Sequence, residues 1–236
     1  MARAKKAAAP AIKPAKAPRT RKPKAVAVAP ADTREALIQN MSELFDAVDE
    51  ALPRMRNIDW GYPHAIALER WWKPCVALLN RMQKLLGEDA DERALDVFRD
   101  ALATPPGTVP SAARPGRFVV WIGYVPVMCK WGGFLTRDAT IHAVDPSEFW
   151  INDTGFRSLS VWITPNDLDI GAWLKKGLQR ATEEKTFKLH TLKTGQTEAL
   201  ERLSGNAWLR EVLAKGPVDP VPLPARLAAV QLEPFI

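Results

Sequence analysis

The residue types best suited to chemistry crowd into one stretch: Arg137, Asp138, Thr140, His142, Asp145, Glu148, Asn152, Asp153, Thr154 and Arg157, with Trp150 and Phe156 among them. His142 and Asp145 are close enough in sequence to meet at a strand end, where a carboxylate orients an imidazole for proton transfer. Together with Asp153 and Arg157, His142 and Asp145 form the candidate catalytic set. Asp145-Pro146-Ser147-Glu148 is also an ordinary turn sequence with good local hydrogen bonding. Trp131 beside Lys130, and Trp150 near Arg157, are the candidates for stacking an unpaired base. Of the nine tryptophans, Trp72, Trp121, Trp162, Trp173 and Trp208 fall on apolar periodic positions, where a large ring is core.

Asp153-Thr154-Gly155 resembles the three-residue signature of aspartic proteases. That resemblance implies a symmetric dimer whose two aspartates share a proton. Only those three residues match, and Phe156 stands where that family has a small residue, so the segment reads as a turn. Residues 197–210 admit a helix-turn-helix, with Gly205 as the turn glycine and Trp208 to Ala214 as the reading helix. Glu201 occupies the position where the first helix needs a small residue, and only Arg210 and Lys215 offer basic contacts. A helix broken by a glycine cap is the expectation. The chain carries no phosphate-binding glycine loop, dinucleotide fingerprint or nucleophile elbow. Cys75 and Cys129 lie in apolar surroundings with no ligand-like spacing, which predicts buried thiols in a reducing compartment. No metal or cofactor is implied.

The elements that must position these groups follow from hydrophobic period. Asp32 or Thr33 can cap a helix whose Leu37, Met41, Leu44, Phe45, Val48 and Leu52 recur at three and four residue steps and end before Pro53. After the aromatic turn Trp60-Gly61-Tyr62-Pro63, the residues Leu68, Trp72, Cys75, Leu79, Met82 and Leu86 form a helix-packing seam. Pro74 within it predicts a kink or a helix starting near Lys73. A third helix, about 91–103, carries Leu95, Val97, Phe98 and Leu102 and stops at Thr104-Pro105-Pro106-Gly107. The period then turns extended: 118–125, 127–131, 140–144, 150–152 and 158–163 predict short strands of a small, mostly antiparallel sheet. Helical signals return at 167–184 and 197–214, and five prolines from Pro217 onward predict an extended strap. The predicted class is α+β, with a helical region over 32–107, a linker at 108–116, sheet and helices over 117–216 packed with 32–107 as one domain, and a strap at 217–236.

Charge divides the chain sharply. The first 31 residues hold Arg3, Lys5, Lys6, Lys13, Lys16, Arg19, Arg21, Lys22 and Lys24, with no acid, in an alanine and proline background. The remaining 205 residues carry 24 bases against 27 acids, so an overall +6 combines a tail of +9 with a body of −3. Prolines 10, 14, 18, 23 and 30 predict an extended, solvated, intrinsically disordered arm. Its expected partner is a polyanion: nucleic acid, DNA favoured over RNA, bound through the phosphate backbone. The body is expected to bind a protein partner or itself. No membrane span or secretory signal is expected, and the setting is cytoplasmic, with nucleoid or virion association as variants. The leading expectation is a non-enzymatic nucleic-acid-associated protein. The alternatives are a nucleic-acid-acting enzyme with its site near His142, Asp145 and Asp153, and a structural or inhibitory protein of a phage or mobile element.

Overall fold

A computed structural model describes residues 33–55, 62–87, 96–136, 138–144, 154–160, 169–184, 192 and 194–225. Helix α1 spans Arg34–Ala51 and opens on Thr33, whose Oγ1 accepts the Ala36 amide at 3.2 Å. The predicted stripe is the buried one: Leu37, Met41, Phe45 and Val48 face the core, followed by Leu52 in a 3₁₀ turn at Leu52–Met55. Helix α2 spans Tyr62–Leu86 without interruption, so the expectation of a start near Lys73 is not met and Pro74 lies inside the helix. A mid-helix proline costs about 3 kcal/mol. Burial of Cys75, Leu78 and Met82 around and after it is the compensating gain. Leu86, the last residue of the predicted seam, is exposed. Helix α3 is short, Asp96–Leu102, and turns Phe98 and Leu102 inward while Val97 is exposed.

Residues 108–116, read from the sequence as a linker, are anchored instead to α1. Ala112 and Ala113 are buried, and Arg114 Nη2 donates to Ser42 Oγ at 2.9 Å and to Asp46 Oδ1 at 2.5 Å. The segment leads into strand β1, Gly116–Ile122, which turns through Gly123-Tyr124 into β2, Val125–Trp131. A one-turn helix α4, Gly133–Thr136, then feeds β3, Asp138–Ala143, and β4 is Phe156–Ser160. Gly133 has φ 78°, and a Cβ there would lie 2.7 Å from the Ala113 carbonyl oxygen, so the close approach of α4 to the 108–116 segment requires glycine.

The four strands form one antiparallel sheet in the order β1-β2-β3-β4. Register alternates two faces. Phe118, Val120 and Ile122 of β1, Val127, Cys129 and Trp131 of β2, and Ala139, Ile141 and Ala143 of β3 belong to the main core together with α1, α2 and α3. Helix α5, Ile170–Glu183, capped by Asp169 accepting from the Ala172 amide, adds Ile170, Leu174 and Leu178 to the same core. Helices α6, Gln196–Gly205, and α7, Ala207–Ala214, follow. Leu209 of α7 packs with Met128 and Val144 in a second cluster that also gathers Val119, Trp208 and Leu213, so α7 covers part of the opposite face. The outer edge of β1 is protected at both ends. Gly107 donates to the Arg117 carbonyl at one end; at the other, Val221 of the proline-rich strap bridges Ile122 in parallel and exchanges bonds with Trp121 and Gly123.

The architecture is α+β, with helices before and after a small four-stranded antiparallel sheet. Among the described residues, no helix is long and apolar enough to cross a membrane.

Candidate functional site

The face of the sheet turned away from the main core is only partly covered by α7. Its uncovered end forms the floor of a cleft of about 440 Å³, walled by α3. Sheet register lays out the floor. Arg117 pairs with Lys130, Lys130 with Thr140, and Thr140 with Ser158, so two cations and two hydroxyls stand in one row across four strands. The adjacent row is Val119, Met128, His142 and Phe156. The wall comes from helical period: Asp96, Arg99 and Asp100 recur at three and four residue steps on a side of α3 other than that of Phe98 and Leu102, and Ala103, just past the helix end, continues it. Arg99 Nη1 meets Asp96 Oδ1 at 2.8 Å, and Arg117 Nη2 lies 3.6 Å from Asp100 Oδ1.

His142 is half-buried in this cleft. Its Nε2 is 3.0 Å from Thr140 Oγ1, and its ring lies 5.1 Å from the Phe156 ring, tilted by 56°. Burial, reinforced by the positive charges of Arg202 and Lys130, pushes its pKa down from 6.5 to about 4. The imidazole is therefore neutral near pH 7. Arg202 comes from α6 and is fixed by donating Nε to the Ala143 carbonyl at 3.1 Å. Among the described residues no carboxylate forms an ion pair with His142, and Asp145, the carboxylate expected beside it, lies outside the described residues.

Of the expected site residues, Arg157 stands apart from His142. Arg157 pairs with Ile141, one position away from the Phe156–His142 pair, and this parity places it on the opposite face of the sheet from His142. There it lines a smaller apolar pocket of about 280 Å³ against Trp173, Leu174 and Gly177 of α5. Trp131 shares the parity of Val127 and Cys129 and is 1% exposed, which removes it as a base-stacking surface. Asp145, Asp153, Trp150 and the nine tail bases Arg3 to Lys24 lie outside the described residues. Gly155 adopts φ 72° and its carbonyl accepts the Ala143 amide at 2.9 Å, which continues the β3–β4 pairing one position beyond His142 and Phe156.

The α6–α7 pair breaks at Asn206, with φ −121°, and Gly205 has no left-handed φ, so the expected glycine cap is replaced by an asparagine joint. Asn206 Nδ2 donates to the Arg202 carbonyl at 2.7 Å and its Oδ1 accepts from Trp208 Nε1 at 3.2 Å. Arg210 donates to the Leu203 carbonyl at 2.8 Å and also to that of Ser204, so it caps the end of α6. Both cysteines are buried and reduced, and burial pushes the thiol of Cys75 up to about 11 and that of Cys129 up as well. Among the described residues, no group of three or more His, Cys, Asp or Glu side chains is placed to hold a metal ion.

Sequence reasoning found His142, Thr140 and Asp138, named Lys130 only as the neighbour of Trp131, and missed Arg117 and the α3 wall. Arg117 and the α3 wall are far from the polar stretch along the chain; strand pairing brings Arg117 beside Lys130 and Thr140, and packing of α3 brings the wall. The one available signal was strand parity, which sets Lys130 on the opposite face from the apolar residues Val127 and Cys129. Comparison with known proteins finds no matching family model, no matching curated protein and no matching solved structure.

Proposed function

We propose that this protein associates with nucleic acid without acting on it chemically. The basic arm binds phosphate backbone irrespective of sequence, and the α+β body carries the contacts to a protein partner or to a second copy. The observation that carries this reading is the charge partition: nine bases and no acid in 31 residues, against a body of −3. Each base that neutralises a phosphate releases a counterion, which is a source of affinity that needs no folded surface.

The geometry of the body supports an affinity that resides in the arm. Two of the cleft's cations face acids of α3, and Arg210, the main basic candidate of a reading helix, is engaged with α6 carbonyls. The enzymatic alternative rests on His142, whose charged neighbours among the described residues are Arg202 and Lys130 rather than a base-orienting carboxylate.

The test replaces all nine tail bases by glutamine in the full chain and measures binding to a generic DNA duplex across salt concentrations. The unsubstituted protein is expected to show log K falling with log salt at a slope of up to about −8, and the variant a slope near zero with much weaker binding. Equal affinity and equal slope in the two proteins would overturn the reading.

A further inference from the structure

On the cleft floor, Arg117 and Lys130 are direct cross-strand partners on the same face. Like charges placed directly opposite each other destabilise an antiparallel pair. Asp100 stands 3.6 Å from Arg117 on an exposed side chain, and among the described residues no carboxylate lies within ion-pair distance of Lys130. Thr140 adds a hydroxyl beside Lys130, and His142 stands behind it, hydrogen-bonded to that hydroxyl. A guanidinium, an ammonium and a hydroxyl carried by three adjacent strands on one face can turn toward a single anionic group, and a dianion draws on both cations. The same lining holds the carboxylates of Asp96, Asp100 and Asp138, of which Asp96 pairs with Arg99.

We propose that the cleft between α3 and the β1–β3 floor is a binding site for a small phosphorylated molecule, whose phosphate is held by Arg117, Lys130 and Thr140. The volume of about 440 Å³ suits a ligand of monomer size and not a duplex. Met128 and Ala103 supply apolar surface for the body of the ligand. Asp100 occupies Arg117 in the absence of ligand and competes with the phosphate for it. The neutral His142 ring has two tautomers, and the one that donates Nε2–H to Thr140 Oγ1 frees the threonine hydroxyl to donate to a phosphate oxygen. This site is independent of the basic arm: it lies wholly in the body and does not depend on the nucleic-acid reading.

The experiment titrates the full chain with inorganic phosphate and with adenosine monophosphate, following the His142 imidazole by NMR and the heat of binding by calorimetry. Four proteins are compared: unsubstituted, Lys130→Gln, Asp100→Asn, and the variant with all nine tail bases changed to glutamine. Saturable binding with a shift of the His142 signals is expected, weakened about tenfold or more by Lys130→Gln, tightened several-fold by Asp100→Asn, and unchanged by the tail substitutions. A short DNA duplex is the third probe and is expected to leave His142 unmoved in the tail variant. The proposal is overturned by equal affinity in Lys130→Gln and the unsubstituted protein, by absence of a saturable His142 shift at millimolar phosphate, or by loss of binding in the tail variant alone. A duplex that shifts His142 in the tail variant would also overturn it, because the cleft would then take polymer backbone.

Discussion

The carboxylate of Asp49 on α1 accepts the backbone amide of Ala113 at 3.0 Å and so ties α1 to the segment that leads into β1. Ala113 is fully buried, and its carbonyl in turn accepts the amide of Phe134 at the start of α4. One residue thereby joins three elements. Burial raises the Asp49 pKa, while hydrogen bonds from Ser111 and Ala113 and the charge of Arg114 act against that rise.

Replacing Asp49 by alanine leaves a buried amide without its acceptor, at an expected cost of about 1–3 kcal/mol. Asparagine keeps the acceptor oxygen and removes the cost of burying a charge, so Asp49→Asn is expected to stay within about 0.5 kcal/mol of the unsubstituted protein at neutral pH. Urea denaturation of both variants is the measurement. Equal losses would mean that the charge, rather than the hydrogen bond, holds the junction.

His142 makes stability depend on pH in a direction fixed by its surroundings. Lys130 on β2, Arg202 on α6 and the ring of Phe156 on β4 surround it, and its folded pKa is about 4 against 6.5 in the unfolded chain. The unfolded chain therefore binds the proton more readily, so this contribution is complete above pH 6.5 and is lost as pH falls from 6.5 toward about 4. After allowance for the solvent-facing part of the ring, the loss is expected to be about 1–2 kcal/mol. His142→Gln, which retains a partner for Thr140, should lose correspondingly less stability over that window in denaturation curves recorded at each pH. Parallel acid profiles would show that the ring titrates as it does in the unfolded chain.

How far the fold and the site could be read from the sequence depended on whether the signal was local. The stripe of α1 was legible because one face is buried and the other wet, which is what a helical period reports. The hairpin turn at Gly123-Tyr124 was hidden inside an apolar run from 118 to 125. Val119 packs against the α7 cluster and Trp121 is itself buried, so both faces of β1 are apolar and the usual alternation is erased. Helix α2 passes Pro74 because tertiary burial outweighs a local preference that sequence reasoning could see only from one side. In the site, Arg157 was grouped with His142 by nearness in sequence, yet the β3–β4 register sends the two to opposite faces. Register between two strands is set by pairing and not by the count of residues between them. Trp131 is the exception: its shared parity with Val127 and Cys129 was present in the sequence and already pointed to the core.

Arg210 separates the two readings of the α6–α7 pair. In the structure its guanidinium serves the carbonyls of Leu203 and Ser204, which the end of α6 leaves without helical partners. Arg210→Ala is therefore expected to reduce stability by about 0.5–1.5 kcal/mol, as loss of an exposed charge-assisted cap does. Duplex affinity should change little, with the salt slope shifting by less than about one unit. A reading helix would give the reverse pattern: stability unchanged, and a loss of about 1–3 kcal/mol confined to one preferred sequence. Chemical denaturation together with binding to two unrelated duplexes distinguishes them, because a capping arginine contributes to the folding equilibrium before any DNA is present, whereas a base-contacting one contributes only in the complex.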